Sequence, residues 1–177
     1  MTQSVNRFGN IDAFVKLWDS ADVIPAWPVC SSPTAIVPCS DPRFWKQVES
    51  GIQPLVRALV DRLGWITYSS CEGHFRRQYP GMESRIEPCH VGVLPRDTEE
   101  QQQQLRHLFE AAARTNSRFW SEDVMVRVHT EWLHAQSGGS REVVDILFLP
   151  RSRYGDRYFK CLRAITVNFE QDLLEVN

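Results

Sequence analysis

Along this chain the apolar residues keep changing period, and that alternation restricts the fold more than any other feature of the sequence. Phe44, Val48, Ile52, Leu55, Leu59 and Leu63 recur at three- and four-residue steps, the spacing of one helix face. Asp41-Pro42 opens the run with a carboxylate able to cap free amides and a proline at the first helical position, where its missing N–H costs nothing. Gly64 can close it, and Pro54 predicts a kink or a division into two helices near Gly51. The period then shortens. Trp65 to Ser70 reads as a strand, a polar loop follows through Gly81, and a second strand is expected from about Arg85 to Leu94.

The helical step returns after Asp97-Thr98-Glu99-Glu100, whose acidic groups suit a helix N-terminus. Leu105, Leu108, Phe109 and Ala112 form its apolar face, with an end expected near Thr115. Val124, Val126 and Val128 alternate with Met125, Arg127 and His129, the two-residue period of a half-buried strand that can extend to Leu133. Ser137-Gly138-Gly139-Ser140 predicts a hairpin turn into a partner strand from Val143 to Leu149, and Tyr158, Leu162, Ile165 and Phe169 mark a last helix. The order α, β, β, α, β, β, α predicts an α+β fold: a mixed or mostly antiparallel sheet with helices packed on it, in a single domain. That domain is assigned to residues 41–177. Residues 1–40 are read as a Pro-rich N-terminal wrap, with a short helix around Ile11, Phe14, Val15, Leu17 and Trp18. Pro25, Pro28, Pro33 and Pro38 prevent a regular element beyond it, while Trp18, Ile24, Trp27 and Val29 supply apolar groups to lay over a core.

A chain of 177 residues with 42% apolar and 24% charged residues has enough apolar material for one core, which argues against disorder. Its net charge of −2 gives no overall basic field, so a nucleic-acid partner would need a local patch. No long apolar run suggests a signal peptide or a membrane span, and a cytoplasmic location is expected. Five scattered cysteines, an odd number, suggest free thiols rather than a disulfide framework.

Chemistry concentrates in Ser69-Ser70-Cys71-Glu72-Gly73-His74, where two hydroxyls, a thiol, a carboxylate and an imidazole surround a glycine at a strand end. Strand alternation would place Ser69 and Cys71 on one side and Ser70 on the other. The plainest account is a polar turn with a buried thiol. Cys71-x-x-His74 with Cys89-His90 also has the residue types of a zinc or iron site. Adjacent strand residues diverge, however, so three ligands, Cys71, His74 and one of the second pair such as His90, suit better than four. A third reading makes Cys71 a nucleophile activated by His74 or His90, with Glu72 or Glu87 orienting the imidazole. Arg76, Arg77, Arg85 and Arg96 surround this segment and Arg151, Arg153 and Arg157 form a second cluster. Guanidinium forks suit phosphates, and Trp65, Phe75 and Tyr79 offer faces for a base, although ion pairs with Glu72, Glu83 and Glu87 would serve a solvated loop equally. His107, His129 and His134 are expected on solvated faces or a sheet edge.

Ile52-Gln-Pro-Leu-Val-Arg-Ala-Leu-Val followed by Tyr68-Ser-Ser-Cys-Glu-Gly-His74 resembles the wybutosine-synthesis methyltransferase family, the third enzyme of that tRNA-modification pathway, which places a helix before an S-S-C-x-G-R motif. Glu87-Pro88-Cys89-His90-Val91 and the helix after it look like the family's E-P-x-x-x-H-V strand and following helix, with a shorter spacing before the histidine. The resemblance spans about residues 41–150. It implies an α+β domain that binds S-adenosylmethionine and methylates a modified guanosine in tRNA or a related nucleotide. Ser69, Ser70 and Gly73 would hold the cofactor, Cys71, Glu72, His74 and His90 would do the chemistry, and Arg76, Arg77 and Arg85 would hold the substrate. In such a site proximity supplies most of the acceleration, His74 or His90 would take the acceptor's proton, and Glu72 would hold a ribose or an amine. His74 stands where the family motif has arginine, which removes a permanent charge and a bidentate donor. Two other expectations stand beside this one: a domain holding zinc or iron for structure or hydrolysis, and a non-catalytic module that meets a protein partner through its N-terminal segment and the Arg151 to Arg157 cluster.

Overall fold

The computed structural model describes residues 24–25, 36–37, 42–76, 85–95, 98–134, 140–152 and 155–175. Regular structure does occur in the Pro-rich segment, where its prolines predict none: two short strands, β1 (Ile24–Pro25) and β2 (Ile36–Val37), pair antiparallel, each only two residues long so that few ladder bonds are needed, and β1 runs close to the third strand. The short helix expected around Ile11 to Trp18 lies outside the described residues, as does the Ser137 to Gly139 turn.

The first helical pattern does divide where Pro54 and Gly51 interrupt it. Helix α1 (Pro42–Gln47) ends before Glu49, and α2 (Gln53–Arg57) begins with Pro54 in its first turn. The chain continues through a wider turn, Ala58–Arg62, in which the Leu63 amide reaches back to the Ala58 carbonyl. Gly64, at φ +64°, then reverses the chain into β3 (Ile66–Cys71), a backbone conformation that residues with a Cβ rarely adopt. Phe44, Ile52, Leu55, Val56 and Leu59 are buried, so the spacing marked the packed face.

The main sheet has the order β3-β6-β8-β7, with β6 at Cys89–Leu94, β7 at Val124–His134 and β8 at Ser140–Pro150, and every pairing is antiparallel. A separate ribbon joins β4 (His74–Arg76) to β5 (Arg85–Glu87). The single strand expected from Arg85 to Leu94 is therefore two strands with Pro88 between them. Proline offers no N–H to a ladder, and the chain changes partner there, leaving the ribbon to enter the main sheet.

Helices α3 (Glu99–Arg118) and α4 (Gly155–Leu174) pack on each other and on the sheet. The Thr98 hydroxyl caps α3 by accepting the Gln101 amide at 3.3 Å. Helix α3 runs past the expected end at Thr115, and its extra turn is used: Arg118 donates to the buried Asp172 carboxylate of α4 at 3.0 Å, beside Thr115, which donates to it at 2.7 Å. Val91, Ile146, Phe148 and Val126 bury one face of the sheet, with Phe169 of α4 packed edge-on against Phe148. At the β7 edge, the Asn116 side-chain amide both donates to the carbonyl of Val126 and accepts its N–H, pairing an edge that would otherwise invite another strand. This is the α+β architecture expected, a helical layer on an antiparallel sheet. Among the described residues no helix is long and apolar enough to cross a membrane.

Candidate functional site

Strand pairing brings the two motif segments side by side. Cys71 lies opposite His90, Ser70 opposite Val91 and Ser69 opposite Gly92, with a register shift between Thr67 and Ser69. Val91 belongs to the buried face, so alternation puts Ser69 and His90 together on the other, whereas the thiol of Cys71, the last residue of the strand, acts on the buried Cys89 and Tyr158. Ser69 Oγ and His90 Nε2 are 2.9 Å apart, and His90 Nδ1 is 3.5 Å from the Pro88 carbonyl. Cys89 points the opposite way and is buried in the core, where its amide donates to the Tyr158 hydroxyl at 2.8 Å. Burial pushes the Cys89 thiol well above its ordinary range. The divergence of Cys89 and His90 follows from strand alternation; Cys89 is not among the donors that converge on Cys71, although Cys71 and Glu49 both help to raise its thiol.

At the end of β3 the chain turns through Gly73, at φ +89°, and a Cβ there would press on the Cys89 amide at 3.0 Å. Glycine is therefore required on two counts, and it lets His74 start the ribbon opposite Glu87. His74 does not meet His90. Its Nε2 lies 2.8 Å from Oε1 of Glu49, a residue of the turn between α1 and α2. The other oxygen of Glu49 accepts the Glu72 amide at 2.7 Å, and Glu72 Oε2 in turn accepts the Gly51 amide at 2.7 Å. The two turns are thereby laced to each other by their own carboxylates.

Cys71 is half-buried beside this pair, and the ligating atoms of Glu49, Cys71 and His74 all lie within 4.8 Å of one another. The third donor beside Cys71 and His74 is thus Glu49 rather than His90. Burial is the main cause raising the Cys71 thiol above its ordinary range. The Gly73 amide opposes this and the negative Glu49 and Glu87 reinforce it. A thiol so placed stays protonated at neutral pH, which works against the activated-nucleophile reading.

Arg76 and Arg85 are register partners in the β4–β5 ribbon, and Arg77 lies outside the described residues. Of the second cluster, Arg151 donates to the Trp120 carbonyl at 2.8 Å and Arg157 lies 4.0 Å from Asp123, well away from β3 in the chain. Sequence reasoning missed Glu49. The one local signal is a carboxylate set just before Ser50-Gly51, at a break in the helical pattern where a side chain is free to leave the helix face.

Comparison of this chain with family models, with curated proteins and with solved structures finds no match.

Proposed function

We propose that this domain binds a divalent metal ion of the zinc class between Glu49, Cys71 and His74 and uses it hydrolytically. One observation carries the reading: three donors of different chemistry, a carboxylate oxygen, a thiol and an imidazole nitrogen, converge within 4.8 Å from two separated segments. Zinc accepts that mixture, and its bond lengths set tetrahedral donors roughly 3.3–3.8 Å apart. The direct contact of Glu49 with His74 would open by about half an ångström to admit the ion. Glu49 has one oxygen turned to His74 while the other is fixed by the Glu72 amide, the kind of outer contact that orients a ligand. Three protein donors leave a fourth position, and a zinc ion there lowers the pKa of bound water to about 7. The negative charge of Glu87, which acts on Cys71, favours a cation over an anion.

The test is a calorimetric titration of zinc into protein stripped with a chelator. One saturating equivalent, lost in Cys71→Ala and in Glu49→Gln variants that retain their circular dichroism, supports the reading. Absence of saturable binding, or binding indifferent to both substitutions, removes it.

A second reading, methyl transfer from S-adenosylmethionine to a tRNA or nucleotide acceptor, is favoured by the adjacency of the two segments that carry the family resemblance, with Ser69 and His90 in contact. Titration of S-adenosylmethionine beside a Cys71→Ala, His74→Ala double variant separates the two, because methyl transfer needs no metal. Saturable cofactor binding by the unmodified chain, lost in the double variant, would favour it.

A further inference from the structure

We propose that Ser69 and His90 form a nucleophilic dyad that takes an acyl group from a carboxylic ester. The inference goes beyond the metal reading and uses neither Glu49 nor His74. Ser69 Oγ and His90 Nε2 stand 2.9 Å apart, the separation of a formed hydrogen bond. Which of the two donates depends on the imidazole tautomer, and the other ring nitrogen bears on it. His90 Nδ1 faces the Pro88 carbonyl at 3.5 Å, and a carbonyl can only accept. In the tautomer that directs an Nδ1 proton at this carbonyl, Nε2 carries the lone pair and Ser69 donates its hydroxyl proton to it. This is the arrangement a general base needs to activate a serine.

The strand geometry adds to it. Ser69 and His90 sit on adjacent antiparallel strands, so the pair is held by backbone ladders rather than by a loop. Pro88 stands at the break between β5 and β6, which places its carbonyl beside the ring two residues further on. Leu147, the partner of His90 on β8, is half-buried on the same face and supplies an apolar neighbour for an acyl chain.

In the reaction, Ser69 Oγ forms a bond to the ester carbonyl carbon and its proton moves to His90 Nε2. The carbon–oxygen bond to the alcohol then breaks, and the alcohol leaves with that proton. Water repeats the sequence on the acyl-serine, releasing the carboxylic acid and restoring both side chains.

The experiment uses the full chain and diisopropyl fluorophosphate, which phosphorylates activated serines, with intact mass and peptide mapping as readouts. The expected result is one adduct on Ser69, none in Ser69→Ala, and labelling slowed roughly a hundredfold or more in His90→Gln. The same labelling is expected after treatment with a chelator, so failure of the metal reading leaves this outcome untouched. No adduct on the unmodified chain, an adduct on Ser70 instead, equal rates with and without His90, or loss of labelling on chelation would each overturn the dyad.

Discussion

The carboxylate of Glu72 accepts the amide of Gly51 at 2.7 Å, so close that a Cβ on residue 51 would itself stand 2.7 Å from Glu72 Oε2. Glycine at 51 and glutamate at 72 are therefore one device, and they are coupled to Glu49, which holds the Glu72 amide. Gly51→Ala should displace the carboxylate and cost about 1 kcal/mol, the net worth of one such hydrogen bond, and Glu72→Ala should cost about the same. With Glu72 already alanine the contact with the carboxylate oxygen is gone and only a 3.3 Å approach to the Cβ of residue 72 remains, so Gly51→Ala should be close to neutral, helped by its restriction of the unfolded chain. A urea-denaturation double-mutant cycle measures the coupling. Additive losses would mean that the two residues do not act together.

Tyr158 ties three elements at one atom: its hydroxyl accepts the Cys89 amide at 2.8 Å and donates to the Phe148 carbonyl at 2.7 Å, in a fully buried position. Tyr158→Phe keeps the ring and strands both backbone groups. The expected loss is about 1–3 kcal/mol in urea denaturation, with faster hydrogen exchange at the Cys89 amide. A loss below about 0.5 kcal/mol would show that water replaces the hydroxyl without difficulty.

What the sequence revealed divides along physical lines. Val124, Val126 and the run from Phe44 to Leu59 could be assigned to the core because a strand or helix imposes its period locally, whatever it packs on. The same alternation separated Cys89 from His90. Pro88 was legible only in part: a missing N–H disfavours a central strand, but nothing nearby says that the chain will leave one sheet and enter another. Glu49 was legible only as a carboxylate at a break in the helical pattern, not as a partner of His74. Its meeting with His74 depends on how the α1–α2 turn sits against the end of β3, a long-range relation that no local pattern encodes.

Glu170 on α4 provides a pH test outside the site. Burial raises its carboxyl above the ordinary value, and Arg62 only partly offsets this. The folded chain therefore holds this proton more tightly than the unfolded chain does. The contribution is fully present below the unfolded value and is lost as pH rises through the folded one. Glu170→Gln should raise the neutral-pH denaturation midpoint slightly, by no more than about 0.5 kcal/mol for a partly solvated group, and should leave stability at pH 4 nearly unchanged. A variant less stable than the parent at pH 7 would contradict the assignment.

The Cys71 thiol reports directly on the proposed metal centre. Its ionisation is opposed first by burial, and the negative charges of Glu49 and Glu87 add to that, so iodoacetamide should alkylate it slowly at pH 7 and faster as pH rises past the ordinary thiol range. Glu49→Gln removes one of the charges that raise the thiol and also the carboxylate that hydrogen-bonds it. The thiolate becomes easier to form, and alkylation at a fixed pH should accelerate. Zinc should act in the opposite direction on the parent chain, because a bound thiolate is withheld from the reagent, and it should protect the Glu49→Gln variant poorly because one donor is missing. Cys89, buried in the core, should stay unmodified throughout and serves as the internal reference for intact folding. A time course by peptide mass spectrometry distinguishes the effects. Slower alkylation in Glu49→Gln would reverse the electrostatic assignment, and equal zinc protection in both proteins would remove Glu49 from the proposed ligands.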